Sequence, residues 1–197
     1  MIAMENVNAA NAPRDEVLAL NIPPGYAVDR RHIEIMTRPN TDFWQKTWYG
    51  HSAASGHAVL FRLRHDEAVS VMLHFTPEQC FQQAGLMLYQ DERHWVKFGL
   101  EMEADHRVKL GVTLTRDGHS DWNCQEIATP MEMARHLRIG LGRGAWRFFH
   151  RSIGPFGEPM RIAPAFAATD QPLFAGVFAA SPGETGCKAV FTHLEFE

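Results

Sequence analysis

Residues alternate with a period of two over three neighbouring segments between residues 83 and 115. Segments 84–88, 96–100 and 108–114 carry an apolar side chain at every second position. Because successive side chains of a strand point to opposite faces of a sheet, this pattern predicts three strands that share an apolar face. The predicted core face consists of Ala84, Leu86, Leu88, Val96, Phe98, Leu100, Val108, Leu110, Val112 and Leu114.

The opposite face of these strands mixes aromatic, charged, amide and glycine residues. A solvated face seldom carries Trp and Tyr, whereas aromatic rings beside a few charged and amide groups suit a sugar ring or another flat polar ligand. The glycines are expected to leave room for such a ligand to approach the backbone. The residues of this face are Gln83, Gly85, Met87, Tyr89, Trp95, Lys97, Gly99, Glu101, Lys109, Gly111, Thr113 and Thr115.

The rest of the chain adds many short apolar segments separated by turn residues. Such a sequence predicts an antiparallel sandwich or barrel. Residues 116–129 are predicted to form a long loop, a kind of segment that often carries function. At 197 residues the chain holds one domain. We expect a flexible tail over residues 1–20 and a single domain over residues 21–197.

Composition excludes several classes of function. The formal net charge of −4 argues against a nucleic-acid partner. The sequence contains no run of eighteen apolar residues, so no membrane partner is predicted. The N-terminus does not resemble a secretory signal. Cys80, Cys124 and Cys187 are odd in number and widely separated, which predicts reduced thiols and a cytoplasmic location. The eleven histidines are scattered, so neither a metal nor a cofactor is predicted.

One predicted strand carries three candidate site residues on its polar face, namely Trp95, Lys97 and Glu101. The two charges lie about 13 Å apart along an extended chain, so each needs another partner or a ligand. Lys97 would favour an anionic or carboxylated ligand. The alternative interpretation is a surface Lys and Glu beside an amphipathic Trp.

Two further segments offer rim residues for such a site. Asp42 and Trp44 belong to a stretch rich in aromatic residues, although Asp42 also suits a turn cap. Asp121 and Trp122 follow Arg116 in the predicted loop, where Asp121 would accept hydroxyl hydrogen bonds and Trp122 would stack on a ring. A turn held by an Arg–Asp pair is the alternative interpretation. The predicted ligand-binding residues are therefore Asp42, Trp44, Gln83, Trp95, Lys97, Glu101, Asp121 and Trp122.

Several ordered motifs carry a resemblance to one family. They are Thr41-Asp42-Phe43-Trp44, Thr47-Trp48-Tyr49-Gly50, Gln83-Ala84-Gly85-Leu86-Met87, Trp95-Val96-Lys97-Phe98-Gly99-Leu100-Glu101 and Ser120-Asp121-Trp122. Together they resemble the DUF1349 family of the concanavalin A-like lectin/glucanase superfamily, which includes a yeast protein described as a regulator of enolase. The resemblance implies an all-β, concanavalin A-like antiparallel β-sandwich, or jelly roll, with a concave face. Family members commonly have Asp where this chain has Gln82.

Three hypotheses for function remain open at this point. The first is a lectin-like domain that binds a saccharide or a similar small polar ligand on the concave face. The second is a carbohydrate-active enzyme that uses Glu101 and Asp121, although the Glu-x-Asp-x-x-Glu strand of glycosidases in the superfamily is absent and Glu101-Met102-Glu103-Ala104-Asp105 is the nearest string. The third is a cytoplasmic interaction module that uses the aromatic face against a protein partner.

Overall fold

A computed structural model describes residues 16–29, 31–64, 67–127, 134–167 and 170–197 as a sandwich of antiparallel strands. The strands, numbered in chain order, are β1 (Val17–Leu20), β2 (Gly25–Asp29), β3 (His32–Met36), β4 (Phe43–Gln45), β5 (Ser52–Ala54), β6 (His57–Arg62), β7 (Val69–His74), β8 (Gln83–Asp91), β9 (His94–Met102), β10 (Val108–Arg116), β11 (His119–Glu126), β12 (Arg135–Gly142), β13 (Ala145–Arg151), β14 (Arg161–Pro164), β15 (Phe174–Ala180) and β16 (Lys188–Phe196).

The strands form two large sheets that enclose the main core. The first sheet has the order β1-β6-β15-β8-β9-β10-β11, and the second has the order β14-β13-β12-β7-β16-β3-β2. The apolar face predicted for β8, β9 and β10 points inward, where Leu86, Phe98 and Leu110 are fully buried. The all-β antiparallel sandwich and its core face are thus confirmed.

A second, smaller core lies on the outer face of the first sheet. There β4 and β5 form a two-stranded hairpin, and the Phe43 ring packs 5.9 Å from that of Trp95 and 6.2 Å from that of Phe178. The cluster is completed by Ala58, Leu60, Met87 and Phe174. Because strands β6 and β15 are thereby covered on both faces, their sequences are almost continuously apolar rather than alternating.

The predicted loop over residues 116–129 is wrong, since most of it is strand β11, paired with β10 from Lys109↔Glu126 to Arg116↔His119. The connection is a two-residue turn in which Asp117 and Gly118 have φ values of 53° and 74°. Asp-Gly is a strong signal for this tight turn because both central residues need positive φ. That dipeptide could have identified the hairpin from the sequence.

The predicted tail is wrong for residues 17–20, because β1 pairs with β6 from Val17↔Phe61 to Leu20↔Ala58. The rest of that predicted segment, up to residue 15, lies outside the described residues. Cys80, Cys124 and Cys187 are free thiols. The described residues contain no helix that is long and apolar enough to span a membrane.

Truncation of Trp95 tests the second core. Its side chain is 1% exposed, so we expect Trp95→Ala to lower the free energy of unfolding by about 3–5 kcal/mol, as large buried truncations do. Trp48→Ala is the matched control because Trp48 is 91% exposed, and its effect should stay within about 0.5 kcal/mol. Urea denaturation measures both, and equal small effects would contradict the buried position of Trp95.

Candidate functional site

A pocket of about 340 Å³ opens on the outer face of the first sheet, beside the β4–β5 hairpin. Strands β8, β9, β10 and β11 supply its floor, and the segments around residues 42–51 and 81 supply its sides. Its lining residues are Asp42, Trp44, Tyr49, His51, Phe81, Gln83, Lys97, Glu101, Glu103, Thr113, Trp122 and Pro182.

Strand register explains why the floor residues meet. Lys97 lies opposite Thr113 on β10, and Thr113 lies opposite Trp122 on β11. Four residues further along β9, Glu101 lies opposite Gln83 on β8. All five side chains share the outer face because the side-chain period of a strand is two.

A buried polar network forms the deepest part of the floor. Lys97 is 5% exposed and Gln83 is 2% exposed. The Lys97 ammonium donates a hydrogen bond to Oε1 of Gln83, whose Nε2 donates to Oδ1 of Asp42 over 3.0 Å. Lys97 Nζ lies 3.9 Å from the same Asp42 oxygen, and His51 Nε2 lies 3.7 Å from the other. Charged groups with so little solvent need these partners, so the network fixes each side chain in place.

Backbone contacts hold Asp42 at this position. Its carboxylate accepts a hydrogen bond from the backbone N–H of Phe43 over 2.7 Å. Its carbonyl oxygen accepts hydrogen bonds from the amides of Ser55 and Gly56 across the hairpin. A Cβ at Gly56 would lie 2.3 Å from the Phe43 ring, so glycine is required there. The packing of Phe43 and the placement of Asp42 are therefore one local arrangement.

Aromatic rings form two sides of the pocket. Trp44 donates its indole N–H to the Thr47 carbonyl over 2.9 Å and contacts Tyr49 edge to face, with ring centroids 5.4 Å apart. On β11, Trp122 is 38% exposed and its Nε1 lies directly above Gly111. These partly exposed rings offer apolar surface to a ligand that the polar floor would orient.

The glycines do not serve the purpose predicted from the sequence. A Cβ at Gly85 would lie 2.1 Å from the Phe98 carbonyl oxygen, and one at Gly99 would lie 2.0 Å from that of Ala84. The close approach of β8 and β9 therefore requires glycine at both positions without any ligand. Above Gly111 the space is taken by Trp122.

Glu101 differs from the other charged groups of the pocket because its carboxyl has no hydrogen-bond or ion-pair partner among the described residues. Burial raises the pKa of this carboxyl to about 7, against an opposing effect of Lys97 and with further increases from Glu103 and Asp42. Burial also raises the pKa of Glu103, while Lys109 opposes the change. Near neutral pH, Glu101 is therefore divided between its acid and its carboxylate.

The structure brings together six of the eight predicted site residues, namely Asp42, Trp44, Gln83, Lys97, Glu101 and Trp122. Trp95 is not among them, and its prediction as an accessible stacking surface is wrong. It lies on the predicted face, but the hairpin covers that part of the face and buries its ring under Phe43. Sequence alternation alone does not distinguish a face covered by protein from one that is open to a ligand.

Asp121 is the second residue that lies elsewhere. It is opposite Leu114, on the inward side of the edge strand β11, and its Oδ1 accepts a hydrogen bond from Arg161 over 2.7 Å. This pair joins the edges of the two sheets. The catalytic pair Glu101 and Asp121 is therefore contradicted, because the two carboxyls are on opposite faces. Arg116, the predicted partner of Asp121, donates instead to the carbonyl of Pro164.

Several lining residues were missed among the predicted site residues, namely Tyr49, His51, Phe81, Glu103, Thr113 and Pro182. Alternation already placed Thr113 on the correct face, and Tyr49 belongs to the aromatic stretch that contains Trp44. His51, Phe81 and Pro182 reach the pocket through connections between strands, and no local pattern in the sequence indicates this.

Gln82, where the family resemblance implies Asp, has a structural role. It is 2% exposed, and its Oε1 accepts hydrogen bonds from the backbone amides of Glu78 and Gln79 over 2.8 and 3.2 Å. Its Nε2 also donates to the Gly186 carbonyl over 3.5 Å, a hydrogen bond that a carboxylate could not supply. In the part of the chain that is described, no group of three or more His, Cys, Asp or Glu is arranged to hold a metal ion.

Glu101→Gln should change how stability depends on pH. The pKa of Glu101 is higher in the folded state than its ordinary value of 4.5. Loss of the Glu101 proton therefore costs more free energy in the folded state than in the unfolded state. The free energy of unfolding is highest below about pH 4.5 and falls as pH rises through about 7. We expect the variant to gain free energy of unfolding relative to the wild type between about pH 5 and about pH 8, measured by urea denaturation. Glu195→Gln, an exposed control, should show no such trend, and a constant difference for Glu101→Gln would contradict the raised pKa.

Comparison with known proteins places the chain among relatives of similar length. A model of the family DUF1349, described as a protein of unknown function, matches residues 20–197. "Regulation of enolase protein 1" of Saccharomyces cerevisiae is 30% identical over 188 residues, which cover 94% of this chain and 91% of that protein.

Solved structures give the same fold. A crystal structure of a functionally unknown protein from Saccharomyces cerevisiae has a TM-score of 0.83 at 27% identity and covers 92% of this chain and 95% of its own. A xylan β-1,4-xylosidase from Bacillus halodurans gives 0.69 at 16% identity, covering 92% of this chain and 39% of that one. A legume lectin-like domain from Entamoeba histolytica gives 0.58 at 10% identity, with 92% and 89% covered. The last two likenesses show the fold alone. On the match over residues 20–197 and the yeast relative, the chain belongs to the DUF1349 family of proteins of unknown function.

Proposed function

We propose that this protein binds a saccharide, or a similar small polar ligand, in the outer-face pocket. The observation that carries the proposal is that one cavity joins partly exposed aromatic rings to a fixed polar floor. Trp122 and Tyr49 would stack against the C–H face of a sugar ring, and Asp42 and Thr113 would bind its hydroxyls. A volume of about 340 Å³ is at the small end of ligand pockets, which span roughly 300–1,000 Å³.

The fold supports the proposal in a general way. The structural neighbours include a xylosidase and a legume lectin-like domain, whose names refer to sugars. At 16% and 10% identity they show the fold alone, so the case for a sugar ligand rests on the residues of this pocket.

Binding is favoured over hydrolysis by the state of the carboxyls in the pocket. Oδ1 of Asp42 accepts hydrogen bonds from Gln83 and the Phe43 amide and lies 3.9 Å from Lys97 Nζ, so this carboxylate is fixed and its charge is partly compensated, which suits hydroxyl binding at Oδ2 better than nucleophilic attack. Retaining glycosidases need a second carboxyl free to attack, about 5–5.5 Å from the acid. Glu101 has a suitable pKa for an acid but lacks Asp121 as its companion.

A glycan panel tests the proposal, with saturation-transfer NMR to find ligands and calorimetry to measure affinity. We expect Trp122→Ala to weaken binding by about tenfold, near the upper value of one aromatic contact. Trp48→Ala, which replaces an exposed Trp outside the pocket, should leave the affinity unchanged.

The same samples separate the hypotheses. Recovery of the intact sugar after incubation supports binding, whereas release of a hydrolysed product supports the enzyme. Absence of binding to every glycan by the folded protein, or binding that is indifferent to Trp122→Ala, would overturn the proposed site.

A second candidate function is contact with a protein partner, and the Trp48 side chain favours it. The indole is 91% exposed, and its backbone φ of 63° is unusual for a bulky residue. Backbone hydrogen bonds hold this turn, from Lys46 N to His51 O and from Gly50 N to Lys46 O, both 2.8 Å. A strained turn that displays a Trp suits a contact surface.

The yeast relative's name suggests the partner for this second test. We expect enolase from the source organism to bind the wild type in calorimetry and to bind Trp48→Ala at least about tenfold more weakly. Trp122→Ala would lose sugar affinity without this loss. Absence of binding to enolase would remove this candidate. The cytoplasmic location expected from the thiols stays a prediction.

A further inference from the structure

We propose that the preferred ligand carries a protonated amine that is bound at Glu101, so that the pocket selects an amino sugar over neutral and acidic sugars. The inference rests on the proposed function, since it specifies which class of saccharide the same pocket accepts. It follows from the balance of charge among the lining residues.

The charges on the deep floor already compensate one another. The Lys97 ammonium is hydrogen-bonded to Gln83 and lies 3.9 Å from the Asp42 carboxylate. Because Lys97 is 5% exposed and its charge is compensated by Asp42, it offers little net positive charge to an anionic ligand. The preference for an anionic ligand that the sequence suggested therefore does not follow from the structure.

The shallower part of the pocket has an excess of carboxyls. Glu103 is under the influence of Lys109, whose Nζ lies 4.0 Å from Asp105. Glu101 has no hydrogen-bond or ion-pair partner among the described residues. The Lys109 ammonium thus has to balance more than one carboxyl, and within the described ranges Glu101 is the group left without a counter-ion.

The groups that face Glu101 come from every strand around it. Lys97 is on its own strand, Glu103 follows directly after that strand ends at Met102, and Asp42 approaches from the position before β4. Gln83 lies opposite on β8 and Lys109 lies opposite on β10. Their combined effect does not compensate for burial, because the pKa of Glu101 is raised to about 7. A bound ammonium would supply the missing positive charge and convert the acid into a hydrogen-bonded carboxylate.

The sides of the pocket favour the same ligand. The faces of aromatic rings attract cations through their quadrupole, and Trp44, Tyr49 and Trp122 are partly exposed around the cavity. A carboxylated sugar would meet Asp42, Glu101 and Glu103 and would be repelled. The lining therefore combines the two elements that recognise an amine on a sugar ring, a free carboxyl and aromatic faces.

Calorimetry with matched sugars tests the inference on the full-length protein. The probes are glucosamine and galactosamine, their N-acetyl derivatives, and glucose and galactose. At about pH 6.5, below the ordinary pKa range of an amine, we expect at least one amine to bind about tenfold more tightly than its N-acetyl and hydroxyl counterparts. Near pH 7, titration in two buffers of different ionisation enthalpy should show that binding of the amine releases protons from Glu101.

Two variants test whether the preference for an amine and the release of protons depend on Glu101. Glu101→Gln should reduce the ratio of amine to N-acetyl affinity to about one and abolish the proton release. Glu195→Gln removes an exposed carboxylate on the other sheet and should leave both unchanged. Should Glu101→Gln fail to fold, the proton release of the wild type still decides the matter.

The outcomes distinguish the inference from the proposed function. Equal affinity for amines and neutral sugars, or binding of the amine without proton release, would overturn the inference and leave saccharide binding in place. If none of these sugars nor any other glycan binds, the proposed function fails and the inference fails with it.

Discussion

The packing of the Phe43 ring against Trp95 and Phe178 is the contact on which the pocket depends. It attaches the β4–β5 hairpin to a sheet whose other face already belongs to the main core. The hairpin then brings Asp42 to Gln83, which lies 41 residues further along the chain. It also ties the amide of Gln45 to the hydroxyl of Ser120, 75 residues away. One aromatic side chain thus converts a flat sheet face into a cavity with a side wall.

Alternation predicted the inner face of β8, β9 and β10 correctly because that face is apolar at every position and has to be buried somewhere. For the outer face, alternation predicted which residues share the face but did not predict which of them are accessible. Trp95 and Lys97 alternate in the same way whether protein, ligand or water covers them. What covers Trp95 is Phe43, a residue more than fifty positions earlier, and local periodicity carries no information about such a contact.

The position of Asp121 could have been predicted from the sequence. Asp117-Gly118 favours a two-residue turn, and this turn fixes the register of the strand that follows. Counting through it places Asp121 opposite Leu114, on the core side. The pairing of Lys97 with Asp42 was beyond such counting, because it depends on where the hairpin docks. The charge balance of the pocket, and with it the preferred ligand, becomes visible only once that contact is known.

The anchoring of the hairpin has a consequence for motion. The main core lies on the far side of the first sheet, so detachment of β4 and β5 would leave the sandwich itself packed. What such a detachment breaks is the contact of one phenylalanine and a few hydrogen bonds. Local opening of this kind costs less free energy than global unfolding. Detachment of the hairpin would therefore remove the side wall of the cavity, and Asp42 with it, while the sandwich stays folded.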